Sequence, residues 1–279
     1  MGVGVHDNMT VTTHEEISDL PVEPLVPTGK RAAKALLNAD SVLLASHIDA
    51  DGLTSAGIAV TMLQRSGVEY DTVFYKQLGE KEIGEIATEP HNTVLFTDFG
   101  SGQLDIIKEH EQNNDFNAII ADHHEPVNVT TDYHLNPLLF DVDGSTELSG
   151  AGTTYVLARC MASITEDEFD SDVKNKNTDL SALALVGAVG DMQSGPDGVT
   201  GANIEIVREG ENAGVIEKKK DITLYGKQTR PLPKLLEYST EVRIPGITGS
   251  NSGATEFLNE TGIELKDNGR WLHWVDLEF

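Results

Sequence analysis

Histidines and aspartates gather in two short stretches of this chain. HIDADG (47–52) places one histidine and two aspartates at alternating positions before a glycine, and ADHHE (121–125) places an aspartate beside two histidines. Asp98 in FTDFGSG and Asp191 in GAVGD add carboxylates at the ends of two other apolar stretches. Carboxylate and imidazole groups are common ligands of divalent cations in proteins. We therefore interpret the four segments as candidate contributors to one metal site.

The charges of these residues argue for cations at such a site. Five aspartates brought together in a folded protein would repel one another strongly, and two divalent ions would remove that objection. Imidazole ligands favour Mn²⁺ over Mg²⁺, and the lack of thiolates argues against structural zinc. Taken singly, the segments have other interpretations: an aspartate after a strand is often a helix cap or turn residue, and a His–His pair is often a surface pair.

The elements that must position these residues alternate between strands and helices. Short apolar stretches predict strands that end just before the candidate ligands, and helical spacing separates them. This alternation predicts an α/β fold with a doubly wound, mostly parallel sheet, whose ligand crevice lies beyond the carboxyl ends of the strands. The predicted strands are 41–46, 70–75, 92–98 and 116–122, and the predicted helices are 29–40, 54–67, 102–112, 149–162 and 180–191.

Composition shifts along the chain predict three regions. Residues 1–27 are polar, acidic and rich in proline, which is typical of a flexible N-terminal arm. Residues 28–200 contain the alternating elements and all candidate ligands. Residues 201–279 carry weaker signals, and we expect a small accessory or connecting region there.

The overall charge is strongly acidic. The formal net charge is −26, from 46 acidic against 20 basic residues. A surface of this kind is typical of a protein adapted to high salt, where the self-repulsion is screened, and an acidic interaction protein is the alternative. No stretch interleaves basic and aromatic residues in the pattern typical of nucleic-acid-binding proteins.

The single cysteine and the lengths of the apolar stretches indicate the cellular environment of the protein. Cys160 is the only cysteine, so an intrachain disulfide is excluded, and its apolar helical stretch predicts a buried thiol. No apolar stretch reaches transmembrane length, and no signal peptide is recognisable. We expect a cytoplasmic protein that does not contact membranes.

The four segments together resemble a known family. HIDADGLTSA, FTDFGSG, ADHHEP and GAVGD resemble, in order, motifs one to four of the DHH phosphoesterase superfamily, and most of all its archaeal RecJ-like branch. SGAGTTY (149–155) is similar to the small-residue helix between motifs three and four. The resemblance runs from about residue 28 to the C-terminus, and the acidic surface suggests a haloarchaeal member.

The resemblance implies a role for each candidate residue. Asp98 would bridge two metal ions, Asp122 would orient a ligand histidine, and His124 would face the substrate phosphate, so that His124 and Asp122 would be the catalytic residues. The first ion would be held by His47, Asp49 and Asp98, and the second by Asp51, Asp98, His123 and Asp191.

The function implied is hydrolysis of phosphodiester bonds with two Mn²⁺ ions, Mg²⁺ being possible. The substrate would be single-stranded DNA or RNA, attacked as by an exonuclease. A replisome scaffold that binds the GINS complex is one alternative, although scaffold relatives tend to lose the metal ligands that this chain retains. A phosphoesterase for short oligonucleotides or cyclic dinucleotides is another. RecJ-type proteins continue into a second domain with a glycine-rich, histidine-containing patch, which has no counterpart here, so we expect that C-terminal substrate domain to be missing.

Overall fold

The chain is described from a computed structural model that covers residues 20–168, 177–195, 197–219, 224–240 and 242–277, the side chains of 166–168 excepted. The chain divides into two compact units, Met1–Lys218 and Lys219–Phe279. The sequence-based prediction placed this division near residue 200. The later division arises because the helix Asn203–Asn212 packs within the first unit.

The first unit is built on a five-stranded sheet whose strands are all parallel. The strands are β1 Val42–His47, β2 Tyr70–Tyr75, β3 Thr93–Thr97, β4 Asn117–Ala121 and β5 His134–Leu135. Along the sheet the strand order is β2-β1-β3-β4-β5, so the chain winds outward in both directions from β1 and β3. This is the doubly wound α/β fold predicted from the sequence.

Helices cover both faces of this sheet and give it two hydrophobic cores. The helices of this unit are α1 Val26–Leu37, α2 Ala50–Arg65, α3 Glu80–Ile86, α4 Leu104–Asn113, α5 Gly150–Glu168, α6 Ser181–Gly190 and α7 Asn203–Asn212. Because side chains alternate along a strand, Val42 and Leu44 enter the core under α1, α2 and α5, whereas Leu43 and Ala45 enter the core under α3 and α4. A short hairpin pairs β6 Ser194–Gly195 with β7 Gly198–Val199.

The described part of the predicted N-terminal arm, residues 20–27, packs on the first core. Val22 and Leu25 are buried, and the backbone N–H of Val22 donates a hydrogen bond to Glu205 in α7, 2.7 Å long. Helix α1 begins at Val26, with Pro27 in its first turn, where proline is well tolerated. Residues 1–19 of the predicted arm lie outside the described residues.

The second unit is small. It contains α8 Leu232–Glu237, α9 Asn251–Glu260 and a hairpin of β8 Lys266–Asp267 with β9 Arg270–Trp271. Within the described ranges of the whole chain, no helix is both long and apolar enough to cross a membrane.

The single cysteine is buried, as the sequence predicted. Cys160 lies in α5 against Gly29 of α1, and a Cβ placed at residue 29 would come 2.7 Å from its sulfur. Burial raises the pKa of the Cys160 thiol to about 12, so the thiol stays protonated and unreactive.

Candidate metal centre

The candidate ligands converge at one edge of the sheet because neighbouring parallel strands end there. β1 ends at His47, β3 ends one residue before Asp98, and β4 ends one residue before Asp122. Helix α5 points its N-terminus at the same place, and α6 ends at Gly190, one residue before Asp191. Three strand exits and two helix ends therefore bring residues far apart in sequence to one locus.

His47, Asp49 and Asp98 form the first group of potential ligands. Their ligand atoms lie within 4.8 Å of one another. His47 Nδ1 is 3.0 Å from Asp49 Oδ2 and 3.5 Å from Asp98 Oδ2. Asp49 also caps α2, since its other oxygen accepts a hydrogen bond from the Gly52 N–H. The helix-cap interpretation and the metal-ligand interpretation of Asp49 thus hold together, through different oxygens.

Asp51, His123 and Asp191 form the second group, also within 4.8 Å. His123 Nε2 lies 3.7 Å from Asp51 Oδ2 and 3.3 Å from Asp98 Oδ1. Asp98 therefore presents one oxygen to each group, which is the arrangement that a bridging carboxylate requires. Asp51 lies inside the first turn of α2, because this helix begins at Ala50, four residues earlier than predicted.

The tautomers of both histidines leave a lone pair facing the carboxylates. His47 Nε2 lies 3.0 Å from the Lys76 carbonyl, to which it can only donate, so its Nδ1 carries the lone pair. His123 Nδ1 lies 2.6 Å from the Gly144 carbonyl and donates to it, so its Nε2 carries the lone pair whenever the ring is neutral, as it is in a metal ligand. A backbone carbonyl that fixes the tautomer from behind is the usual support of a metal-ligating histidine.

Unsatisfied polar atoms mark this locus as a site for cations. Among the described residues six buried side-chain nitrogen and oxygen atoms have no hydrogen-bond partner, and four of them belong to this cluster: His47 Nδ1, both Asp98 carboxylate oxygens and His123 Nε2. Buried polar atoms without partners are rare because desolvation is costly. All four are lone-pair atoms, so the residues present fit a divalent metal centre.

Asp98 is held under electrostatic and backbone strain. It is almost fully buried, with a φ of 60°, a left-handed conformation that an aspartate tolerates better than most residues. Burial, together with the nearby charges of Asp51 and Asp122, raises its pKa to about 8, although His123 acts in the opposite direction. Without metal, the centre therefore retains a proton that cations would displace.

Asp122 and His124 form a separate pair beside the potential ligands. Asp122 is fully buried; burial acts to raise its pKa, but hydrogen bonds, first that of His124, outweigh burial and lower the pKa well below its usual value. His124 Nδ1 donates to Asp122 Oδ1 at 2.8 Å, and the His124 side chain is 57% exposed. The resemblance implied that Asp122 orients a ligand histidine. In the structure the Asp122 carboxylate accepts the ring N–H of His124, whereas the ring N–H of His123 is donated to the Gly144 carbonyl, and the role of Asp122 stays a prediction.

The N-terminus of α5 holds Asp51 in place, a role that the sequence did not reveal. The Asp51 carboxylate accepts hydrogen bonds from the Ser149 hydroxyl and from the N–H groups of Gly150 and Ala151, at 2.7 to 3.0 Å. A helix N-terminus stabilises a carboxylate in this way through free N–H groups and the helix dipole. Gly150 is needed for close approach, since a Cβ there would lie 2.5 Å from Asp98 Oδ1.

Gln193 is a second support that the sequence analysis missed. Its buried side-chain N–H group donates both to Asp191, at 3.0 Å, and to the Gly144 carbonyl, at 2.8 Å. Its oxygen accepts from Asn203 of α7. Gln193 thus joins the supports of His123 and Asp191, and the only sequence signal was its position two residues after Asp191.

A cleft of about 450 Å³ opens beside the centre, within the first unit. His47, Asp98 and His124 line this cleft, together with Lys76 and Gln103. The cleft therefore connects the potential metal ligands and the exposed ring of His124 with solvent.

Comparison with known proteins agrees with these observations. Residues 41–187 match the N-terminal domain of the DHH family, and residues 224–279 match the DHH-CID domain. An uncharacterized protein of Methanocaldococcus jannaschii is 35% identical over 229 residues, which cover 78% of this chain and 48% of the relative. The chain thus spans about half the length of this curated relative.

Solved structures show the same fold at low sequence identity. Exonuclease RecJ bound to manganese is 22% identical, with a TM-score of 0.53 over 68% of this chain and 48% of RecJ. RecJ from Thermus thermophilus in complex with Mn²⁺ is 20% identical, with a TM-score of 0.54 over 86% of this chain and 32% of that protein. CDC45 from Entamoeba histolytica is 15% identical, with a TM-score of 0.52 over 92% of this chain and 53% of CDC45. The domain match, which covers more than half of the residues and includes all but one of the potential ligands, shows that this chain belongs to the DHH family.

Proposed function

We propose that this protein is a metal-dependent phosphodiesterase that cleaves single-stranded nucleic acid or short oligonucleotides with two divalent cations. The observation that carries the proposal is the convergence of four buried, unpartnered lone-pair atoms on one locus, with Asp98 between two groups of ligands. The likeness of the fold to RecJ bound to manganese supports the choice of reaction and of metal.

The two groups of ligands define how the cations would be held. His47, Asp49 and Asp98 would hold one ion, and Asp51, Asp98, His123 and Asp191 would hold the other. When bound, such ions lower the pKa of water, polarise a phosphoryl group and stabilise the charge that develops in an in-line displacement. Mn²⁺ suits the mixed carboxylate and imidazole ligands, and Mg²⁺ suits the carboxylates.

His124 is the residue suited to act on the substrate itself. Its Nδ1 is held by Asp122, so its Nε2 faces the cleft. The hydrogen bond to Asp122 raises the pKa of His124 above that of a free histidine, although burial opposes this, so Asp122 stabilises the charged form of the ring. A charged imidazole at this place would bind a phosphate oxygen and donate a proton to the leaving oxygen.

Incubation of the full chain with end-labelled single strands of DNA and RNA, in molar KCl with Mn²⁺ or Mg²⁺, tests the proposal. Asp98→Asn removes the central charge at constant shape and should reduce hydrolysis more than about hundredfold, since even changes behind a metal ligand cost ten- to hundredfold. Asp105→Asn is the matched control, because Asp105 is exposed on α4. Equal rates for the two variants would refute the role of Asp98.

The metal-free stability of Asp98→Asn separates loss of metal from loss of fold. Because the pKa of Asp98 is raised to about 8, its side chain in the metal-free protein is mostly protonated at neutral pH, and asparagine matches it in shape and charge. The melting temperature of the metal-free protein should therefore change little. The same variant should lose the additional stability that Mn²⁺ confers on the parent protein. A variant that melts early without metal would mean that its inactivity reports on folding alone.

A second candidate function is that of a replication scaffold that binds the GINS complex and has little or no hydrolytic activity. The likeness to CDC45 over 92% of this chain favours it. The complete set of potential ligands favours the enzyme instead. Release of single nucleotides from the labelled strands would indicate an exonuclease. Cleavage restricted to short oligonucleotides or cyclic dinucleotides would indicate a phosphoesterase for small substrates. Binding of Mn²⁺ without any hydrolysis would indicate a scaffold.

A further inference from the structure

The acidic charge of this chain is unevenly distributed. The second unit, 219–279, contains eight lysines and arginines against nine aspartates and glutamates, a formal charge of −1. The remaining residues contain twelve lysines and arginines against 37 aspartates and glutamates, a formal charge of −25. A polyanion is therefore repelled by the first unit outside its metal centre, whereas the second unit is close to neutral.

Within the second unit, an arginine is stacked between two exposed tyrosines. The Arg230 guanidinium carbon lies 4.9 Å from the ring centroid of Tyr225 and 5.4 Å from that of Tyr238. Lys234 places its ammonium group 5.1 Å from the Tyr238 ring. Tyr225 is 74% exposed and Tyr238 is 53% exposed. These distances are those of cation–π interactions, which hold the guanidinium plane against the rings.

The backbone prepares this arrangement. Gly226 has a φ of 86°, and the N–H of Arg230 donates to its carbonyl at 2.8 Å, closing a turn. A Cβ at residue 226 would lie 2.8 Å from Arg230 Cδ, so the glycine makes room for the arginine side chain. The guanidinium is therefore positioned before any ligand binds, which reduces the entropic cost of binding.

The charge of Arg230 has no carboxylate partner within the described ranges of the chain, whereas Arg65 pairs with Asp179 and Arg270 pairs with Asp276. In a chain with 46 acidic residues, a guanidinium placed over aromatic rings and outside any described ion pair can offer its N–H donors to an external anion.

We propose that Tyr225, Arg230, Lys234 and Tyr238, which we call the Arg230 surface, bind single-stranded nucleic acid. The guanidinium and ammonium groups contact the phosphates, and the exposed tyrosine rings stack on unpaired bases. An acidic peptide would use the cations but leave both rings without a partner, and a duplex hides its base faces. The sequence analysis found no basic and aromatic stripe because these residues meet only when the turn 225–230 folds onto α8.

The test is direct binding of a short fluorescein-labelled oligothymidylate to the full chain, followed by fluorescence anisotropy in EDTA over a series of KCl concentrations. EDTA removes divalent cations, so the result is independent of hydrolysis and of the proposed metal centre. Arg230→Gln should weaken binding about tenfold and reduce the salt slope by about one, as expected for loss of one phosphate contact and its stacking.

Arg243→Gln is the matched control, because Arg243 is exposed in the same unit and changes the net charge equally. It should weaken binding less than about twofold, since Arg243 makes none of the cation–π contacts found among the described residues and lacks the positioned stacking geometry of Arg230. Arg230→Lys should bind more weakly than the parent protein because an ammonium lacks the planar stacking group. A duplex of the same length should bind more weakly than the single strand.

Two results would overturn the proposal. One is an unchanged affinity in Arg230→Gln, and the other is an equal loss in Arg230→Gln and Arg243→Gln, which would reflect net charge alone. If Arg230→Gln lowers the melting temperature, Tyr225→Ser replaces it, because that ring is largely exposed and its loss should leave the fold intact. An unchanged affinity in a folded Tyr225→Ser variant would equally refute the stacking role.

Discussion

Gly150→Ala is the sharpest perturbation of the metal centre that the structure offers. The new Cβ would lie 2.5 Å from Asp98 Oδ1 and 3.0 Å from Asp51 Oδ2, where ordinary contacts begin at 3.4 Å. Asp98 or helix α5 must therefore move by about 0.9 Å, whereas metal–ligand distances tolerate changes of about 0.2 Å. The backbone N–H of residue 150, which donates to Asp51, is retained.

The expected loss follows from the cost of overpacking. Insertion of a methyl group into a packed site costs about 1–3 kcal/mol, which corresponds to an affinity for Mn²⁺ that is about 5- to 150-fold weaker. Titration calorimetry with Mn²⁺ measures this affinity, and thermal unfolding in EDTA monitors the fold. Gly84→Ala is the matched control: residue 84 also lies in a helix, with no atom within 4 Å of the new Cβ, so Mn²⁺ affinity should be unchanged and helix stability about 1 kcal/mol greater. Wild-type Mn²⁺ affinity in Gly150→Ala would refute the close packing of α5 against Asp98.

Four other measurements test the same picture. The pKa values of Asp98 and His123 are raised in the metal-free protein, to about 8 and about 10. Burial is the main cause for Asp98. For His123, burial acts to lower the pKa, but the nearby Asp98 carboxylate and the hydrogen bond to the Gly144 carbonyl outweigh it. Between pH 6.5 and pH 8 the native state therefore holds protons that the unfolded chain has released, so the free energy of unfolding in EDTA should fall as the pH rises. Saturating Mn²⁺ should remove this pH dependence. A free energy of unfolding that rises over this range would contradict the raised pKa values. Gln193→Leu should weaken Mn²⁺ binding about tenfold at the group of Asp51, His123 and Asp191 and leave the group of His47, Asp49 and Asp98 unchanged, so that a calorimetric titration resolves two affinities. An equal loss of affinity at both groups would contradict the role of Gln193 as a support of His123 and Asp191. Cys160 should react with a thiol reagent only on unfolding, and rapid labelling of the native protein would show that its burial is wrong. The melting temperature should rise from low to molar KCl because salt screens the acidic surface, and an unchanged value would count against adaptation to high salt.

Local sequence patterns were sufficient to predict the strands that lead into the site. β2 has the predicted bounds, and β1, β3 and β4 each begin and end within one residue of prediction. Continuous apolar stretches of this length have few other ways to be buried, so strand exits can be read from the sequence. The start of α2 was placed too late, because Asp49 and Asp51 were assigned to a loop when they are the cap and first turn of a helix.

The sequence by itself determined the chemical types of the ligands, their order along the chain and the parallel sheet that collects them at one edge, because periodicity and residue type are local properties. Only the tertiary structure decided which oxygen faces which partner. Ser149 reaches Asp51 across 98 positions, Gln193 reaches Gly144 across 49, and Asp98 divides its two oxygens between two groups. Such contacts depend on how helices α5 and α6 pack against α2, and packing between distant segments leaves no periodic trace in either segment alone.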